Sequence, residues 1–99
     1  MSIFNSKVDS ESSQFIQNRD DMLNLIEKRK DILDRSRKKS DEKKSRFQER
    51  GQLSPRERLN ALIDPDSEFL DLYSMANYLV QDPDPDTSIP GANMIAGIG

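Results

Sequence analysis

Three groups of charged residues could do chemistry in this 99-residue sequence. Eight Lys and Arg lie between residues 35 and 50, an Arg-Glu-Arg motif occupies residues 56–58, and three aspartates alternate with prolines in residues 82–86. These patterns could bind phosphate, exchange protons or bind a cation, respectively. The sequence has no Cys and no His, which excludes disulfides, thiolate chemistry and the usual structural zinc sites.

Each group also has a structural interpretation, which we favour. The basic run suits a solvated or subunit-facing surface, with phosphate contact as the alternative. Nucleic acid is disfavoured because no aromatic residue is interleaved before Phe47 and the net charge is −3. The arginines at 56 and 58 suit pairing with acids such as Asp64 or with a neighbouring segment. The aspartates lack the Gly turn and the later bidentate acid of a calcium loop. We expect no catalytic, cofactor-binding or metal-binding residue.

Apolar residues predict a helix over residues 13–38. They recur at helical spacing in one stripe: Phe15, Ile16, Met22, Leu23, Leu25, Ile26, Ile32 and Leu33. The stripe suits a core or a docking face rather than a cofactor site. Residues 34–46 lack large apolar side chains, so they form either more helix, supported by an Asp34–Lys38 pair, or a frayed connector. The Ser-rich residues 1–12 are predicted to be a flexible arm.

A second helix is predicted over residues 55–63. Ser54 is its N-cap, Pro55 fits the first helical position, and Glu57 completes a capping box. Its buried face would use Leu59, Leu62 and Ile63. The helix should end before Pro65, because proline pushes the preceding Asp64 out of the helical region.

The rest of the chain predicts extended and irregular structure. Residues 69–73 read as a short strand, residues 81–90 as an exposed loop (the acidic loop), and residues 94–98 as an apolar, fully buried strand. A buried strand needs neighbours on both sides, so we expect the sequence to be incomplete. No apolar run reaches about 18 residues and no signal peptide is evident, so we expect a cytoplasmic chain that does not enter a membrane.

Two stretches carry a family resemblance. Residues 50–72, running Arg-Gly-Gln-Leu-Ser-Pro-Arg-Glu-Arg-Leu and on through Leu-Ile-Asp-Pro to Ser-Glu-Phe-Leu-Asp-Leu, resemble the signature of acyl-CoA carboxylase β subunits. Residues 89–99, running Ile-Pro-Gly-Ala-Asn-Met-Ile-Ala-Gly-Ile-Gly, resemble the family's later Pro-Gly motif. The positions that carry this structural signature are Arg50, Gly51, Ser54, Arg56, Glu57, Arg58, Asp64, Pro65, Pro90 and Gly91.

The opening residues narrow the resemblance. Residues 6–9, together with Phe15, Asn18, Met22 and Leu25, resemble the start of 3-methylcrotonyl-CoA and geranyl-CoA carboxylase β subunits. Two residues depart from the family pattern, since Asp66 and Asn93 each replace a usual glycine. Asp and Asn tolerate the left-handed backbone region better than other non-glycine residues, so we expect the same turns to persist.

The resemblance implies a mainly α fold with a short β segment, namely a helical extension followed by the first strand of a crotonase-like (ClpP/crotonase) α/β carboxyltransferase domain. The domains would be a flexible arm (1–12), a helical extension with a basic C-terminal half (13–50) and the start of the carboxyltransferase domain (51–99).

The implied enzyme is a biotin-dependent ligase of leucine catabolism, acting on an acyl-CoA like 3-methylcrotonyl-CoA. The biotin would be carried by a partner α subunit rather than bound covalently here, and the β subunits would form a homo-oligomer. The 99 residues alone are expected to be inactive. The alternative is a free-standing helical interaction module without enzymatic activity.

Overall fold

The computed structural model of the chain describes residues 2–91 and 94–99. It contains two helices and two strands: α1 (Ser13–Glu49), α2 (Pro55–Leu62), β1 (Leu70–Leu72) and β2 (Ala96–Ile98). The predicted class, mainly helical with a short β segment, is confirmed.

Helix α1 is one continuous helix of 37 residues. Ser12 caps its start, because its Oγ accepts a hydrogen bond from the Phe15 N–H at 3.2 Å. Gly51, with φ 68°, ends it in a Schellman motif, in which Gln52 N–H donates to the Phe47 carbonyl at 2.9 Å. Residues 34–46 are therefore helical rather than a frayed connector.

The ion pairs of α1 differ in detail from those the sequence predicts. Asp34 lies 3.9 Å from Arg37, three residues on, and the predicted pairing with Lys38 is wrong. Lys30 with Glu27 and Lys39 with Glu42 form further pairs at 3.1 and 3.0 Å. Exposed pairs of this kind stabilise a helix by only about a few tenths of a kcal/mol each. Each pair therefore adds little to the stability of α1.

The chain divides into two compact units, Met1–Lys30 and Asp31–Gly99. In the first unit the apolar stripe of α1 is uncovered, since Met22 and Leu25 are 57% and 58% exposed. Ile3 and Phe4 of the arm are more exposed still. Among the described residues no Ala, Val, Ile, Leu, Met, Phe or Tyr is buried, so the core interpretation of the stripe fails within these residues and the docking interpretation stays a prediction. Among the described residues no helix is long and apolar enough to cross a bilayer.

Helix α2 begins as its sequence predicts. Ser54 forms the complete capping box with Glu57, and Pro55 occupies the first helical position. The helix ends at Leu62, one residue earlier than predicted, where Ile63 turns extended with ψ 153°. Leu62 is 82% exposed, so its predicted place on a buried face is wrong. Leu59 on the helix and Ile63 at its C-cap are the half-buried residues of the predicted apolar face.

Strands β1 and β2 pair antiparallel in the second unit. Leu70 lies opposite Ile98, and Leu72 lies opposite Ala96. The extended segment predicted at 69–73 is therefore confirmed at Leu70–Leu72, whereas Tyr73 has a left-handed φ of 56°. The prediction of a fully buried strand at 94–98 is wrong. The strand covers only Ala96–Ile98, and Ile98 is 63% exposed because one strand neighbours it and no second layer of the described chain covers it.

Gly97 is required by the close approach of the two strands. A Cβ built there would collide with the Leu70 carbonyl oxygen of β1 and with the ring of Phe69. Phe69 also lies within 3.0 Å of where a Cβ on Gly99 would be. The ring of Phe69 therefore packs across β2, and only a residue without a side chain fits beneath it.

Candidate functional site

A small polar cluster joins the start of α2 to the second half of α1. Ser54 Oγ accepts a hydrogen bond from the Glu57 N–H at 3.4 Å, and the Ser54 N–H donates to Glu57 Oε2 at 2.8 Å. The other carboxylate oxygen, Oε1, lies 2.9 Å from Lys44 Nζ. The sequence predicts the cap, but Lys44 belongs to the basic run and carries no local signal for this contact.

These contacts fix the charges of the cluster. The hydrogen bond from the Ser54 backbone N–H, followed by the one from Lys44, lowers the pKa of Glu57 from 4.5 to about 2. The hydrogen bond to Glu57 in turn raises the pKa of Lys44 above its ordinary 10.5. Both groups are therefore charged at neutral pH, and neither has a pKa near 7 that would suit a general acid or base.

Arg56 differs from its neighbour Arg58 in the same motif. Arg56 is half-buried, and its Nε is shielded from solvent without a hydrogen-bond partner among the described residues. Arg58 is exposed. Asp64 is not the partner of either arginine, contrary to the sequence prediction, since no ion pair of the described chain includes them. Asp64 lies beyond the far end of α2, about two turns from Arg56.

An open groove of about 520 Å³ lies in the second unit, beside Arg56. The second half of α1, the first turn of α2, and residues 71–74 and 94–96 contribute to its walls. Four cationic side chains line it: Arg37, Lys39, Lys43 and Arg56. One acid, Asp71, also lines it. Apolar side chains share the surface, among them Leu33, Phe47, Leu72, Ile95 and Met94. The groove is therefore cationic and amphipathic, and we call it the cationic groove.

The backbone beside the cationic groove holds uncommon conformations. Tyr73, Asn77 and Leu79 have φ values of 56°, 68° and 61°. These values lie in the left-handed backbone region, which tyrosine and leucine residues rarely adopt. Each such residue costs about 1–3 kcal/mol, and such residues concentrate at functional sites. Asp66 has φ 63°, so the predicted left-handed turn persists there without glycine. Asn93, the second departure from the family pattern, lies outside the described residues.

The acidic loop is held by a residue that the sequence does not single out. Arg35 Nη1 donates to the Pro85 carbonyl at 2.8 Å and to the Ser88 carbonyl at 2.9 Å. Ser88 is 1% exposed, and its Oγ accepts the Leu79 N–H at 2.9 Å. The sequence predicts a solvated or subunit-facing Arg35, whereas the structure shows it half-buried. Both bonds start from the same guanidinium nitrogen, so one end of the Arg35 side chain holds the two carbonyls together.

The aspartates of the acidic loop serve its own turns. Asp82 Oδ1 accepts the Asp84 N–H at 3.0 Å, and Asp84 Oδ1 accepts the Asp86 N–H at 2.9 Å. A hydrogen bond from Thr87 Oγ1, followed by the Asp84 N–H, lowers the pKa of Asp82. Within the residues that the structure describes, no group of His, Cys, Asp and Glu could hold a metal ion.

The ten signature residues fall into separate places. Three line the cationic groove: Arg56, Pro90 and Gly91. Pro90 is fully buried, and Gly91 has φ 104° and donates its N–H to the Ala76 carbonyl at 2.8 Å. Two form the cap, namely Ser54 and Glu57. The others are exposed at the end of α1, on α2 or in the turn after α2: Arg50, Gly51, Arg58, Asp64 and Pro65. No signature residue is arranged as a nucleophile with a base.

The geometry of the chain matches a solved structure of a β subunit. The chain aligns with the β subunit of geranyl-CoA carboxylase from P. aeruginosa with a TM-score of 0.78 and 35% sequence identity. The chain resembles an acyl-CoA carboxylase β subunit. This confirms the resemblance that residues 50–72 and 89–99 predict. No family profile matches the sequence.

The extent of the β-subunit match is unequal for the two proteins. It covers 97% of this chain but only 17% of the geranyl-CoA carboxylase β subunit. The chain therefore spans about a sixth of the length of that subunit, and nearly all of its described structure lies within the shared part.

Proposed function

We propose that the chain is the N-terminal part of the carboxyltransferase (β) subunit of a biotin-dependent acyl-CoA carboxylase, and that its own role is structural. The observation that carries the proposal is the match of 97% of the chain to a β subunit at 35% identity. No aliphatic or aromatic side chain of the described residues is buried apart from Pro90, which fits a segment that completes its packing against a larger body.

The proposed reaction transfers a carboxyl group from carboxybiotin, carried on a partner α subunit, to a carbon of an acyl-CoA. Crotonase-like domains of the β subunit would supply backbone N–H groups that stabilise the enolate oxygen. The proposed substrate is 3-methylcrotonyl-CoA or a similar thioester. Geranyl-CoA and 3-methylcrotonyl-CoA are both thioesters of 3-methyl-branched 2-enoic acids, so the geranyl-CoA carboxylase match supports this class. We place the enzyme in the cytoplasm, in leucine catabolism, as a homo-oligomer of β subunits.

The charges of the described residues support a structural role. Glu57 has a pKa of about 2 and stays ionised at neutral pH, so it is a poor general base. Its carboxylate is already committed to Ser54 and Lys44. Lys44 is a poor nucleophile, because its raised pKa keeps the side chain protonated at neutral pH.

The proposed domain organisation follows the chain. Residues 1–12 would be a flexible arm, residues 13–50 the helical extension, and residues 51–99 the start of the carboxyltransferase domain. The Schellman end of α1 at Gly51 and the capped start of α2 at Ser54 support a boundary near residue 51.

A chimaera tests the proposed function. The portion of the P. aeruginosa geranyl-CoA carboxylase β subunit that matches this chain is replaced by the 99 residues. Assembly with the α subunit and biotin-dependent carboxylation of geranyl-CoA are then measured. We expect assembly and activity. A matched chimaera in which the order of residues 13–49 is scrambled should fail to assemble.

The chimaera also separates the proposal from its alternative, a free-standing helical interaction module. The uncovered stripe with Met22 and Leu25 is what favours that alternative. A chimaera that expresses as a soluble protein but neither assembles nor carboxylates would contradict the β-subunit proposal and leave the interaction module as the better account.

A further inference from the structure

Two surfaces of opposite charge are neighbours in the second unit. The cationic groove has four cationic side chains in its walls against one acid, Asp71. The acidic loop has three aspartates and neither Lys nor Arg. Gln81, Ile89 and Pro90, which lie at the two ends of this loop, line the groove. The acidic loop therefore borders the cationic groove directly.

The positive charge of the groove is not balanced among the described residues. Arg37 and Lys39 each have an acidic neighbour on α1, at 3.9 and 3.0 Å. Lys43 and Arg56, in contrast, form no ion pair within the described chain. The Nε of Arg56 is also shielded from solvent without an acceptor. An unpaired donor on a charged group is destabilising, so an anion from another molecule would stabilise the groove.

The negative charge of the acidic loop is not balanced either. Arg35 donates to the Pro85 and Ser88 carbonyls, so it holds the loop without neutralising a carboxylate. The Tyr78 hydroxyl also donates to the Pro85 carbonyl, at 3.1 Å. None of the three aspartates forms an ion pair within the described chain, and none of them lines the groove. The loop is therefore fixed beside the groove of its own chain and does not fill it.

We infer that two copies of the chain pair about a two-fold axis, with the acidic loop of each copy against the cationic groove of the other. A two-fold axis brings the same patch of both copies together, so a patch with neighbouring charges of opposite sign is complementary to itself. Such complementarity selects and orients the partner. The pairing rests on the described residues alone, whereas its assignment to neighbouring β subunits rests on the proposed function.

Sedimentation velocity of the 99-residue chain tests the pairing. We expect a dimer that forms as the protein concentration rises and weakens as the salt concentration rises, because salt screens exposed charges. Lys43→Glu reverses a charge of the groove. Asp86→Lys reverses a charge of the loop at a carboxylate that accepts no hydrogen bond in the described turns. Each change acts twice in a two-fold dimer and should weaken it at least about tenfold, because like charges then meet.

A mixture of the two variants provides the sharpest comparison. Lys43→Glu has a reversed charge in the groove, and Asp86→Lys has a reversed charge in the loop, so a mixed dimer regains opposite charges in both of its contacts. The mixture should therefore associate like the original chain although neither variant does so alone. Lys38→Glu is the matched control, because it makes the same charge change at an exposed residue of α1 outside the groove and should leave the dimer intact. Far-UV circular dichroism checks that each variant keeps the helical content of the original chain.

The other outcomes would overturn the inference. A chain that stays monomeric at low salt has no such pairing. A dimer that neither Lys43→Glu nor Asp86→Lys weakens uses another surface, such as the stripe of α1. Equal weakening by Lys38→Glu and Lys43→Glu, or a mixture no better than either variant, would show only a general effect of charge. The chimaera tests the proposed function separately: an active chimaera with a monomeric chain rejects this inference alone, and a failed chimaera with a dimeric chain rejects the proposed function alone.

Discussion

Replacement of Ser54 by alanine should weaken α2 measurably. Ser54 is only 6% exposed, and its Oγ is the acceptor for the Glu57 N–H. The loss of an N-cap acceptor costs about 1 kcal/mol, and the 3.4 Å length of this bond favours a value no larger than that. Because α2 has eight residues, that cost falls on a short helix. About 1 kcal/mol corresponds to a roughly fivefold increase in the opening equilibrium of the helix.

Hydrogen exchange at the far end of α2 is the assay for the Ser54 variant. The Ile63 N–H donates to the Leu59 carbonyl at 3.1 Å and therefore reports opening of the last turn. We expect its exchange to accelerate about fivefold in Ser54→Ala. Ser54→Thr keeps the hydroxyl acceptor and should exchange like the original chain. Ser45→Ala, an exposed change on α1, serves as the neutral control. Unchanged exchange at Ile63 in Ser54→Ala would refute the capping argument.

Three further changes test other contacts. The pKa of Glu57 is lowered and that of Lys44 raised, so the ion pair between them should stabilise the fold fully between pH 4.5 and 10.5. This stabilisation should be lost as the pH falls from 4.5 towards about 2, where Glu57 is protonated. An NMR titration of the Glu57 carboxyl carbon measures the loss. Gly97→Ala should abolish the protection of the strand amides because the new Cβ collides with the facing strand. Gly51→Ala meets no atom within 4 Å but strains the left-handed end of α1, so it should weaken that helix end and leave the sheet intact. Arg35→Ala should accelerate exchange throughout the acidic loop by removing its two bonds to loop carbonyls. Arg35→Lys should restore only part of the protection, because the lysine side chain is shorter than that of arginine and its ammonium must reach both carbonyls.

Local chemistry explains which parts of the fold the sequence could predict. The capping box at Ser54 and the proline after Asp64 act within a few residues, so the sequence predicts the bounds of α2 to within one residue. The start of α1 and the left-handed turn at Asp66 were predictable for the same reason.

Contacts between distant residues explain what the sequence could not predict. Arg35 binds carbonyls 50 and 53 residues away, and nothing in the basic run distinguishes it from its neighbours. Lys44 meets Glu57 only because α1 continues past residue 38 as a helix. Burial was overestimated at Leu62 and Ile98, because an apolar residue is buried only when another layer covers it.

The most direct test of the account is a deletion within the chimaeric β subunit. Residues 1–50 are removed. The mass of the assembled oligomer, its thermal midpoint and its turnover per assembled subunit are then measured on the same sample. A structural role predicts that the fraction assembled and the thermal midpoint fall, while the oligomers that do form retain their turnover. An oligomer of full mass and normal thermal midpoint that has lost its turnover would contradict the account, because it would show that this segment takes part in substrate binding or catalysis.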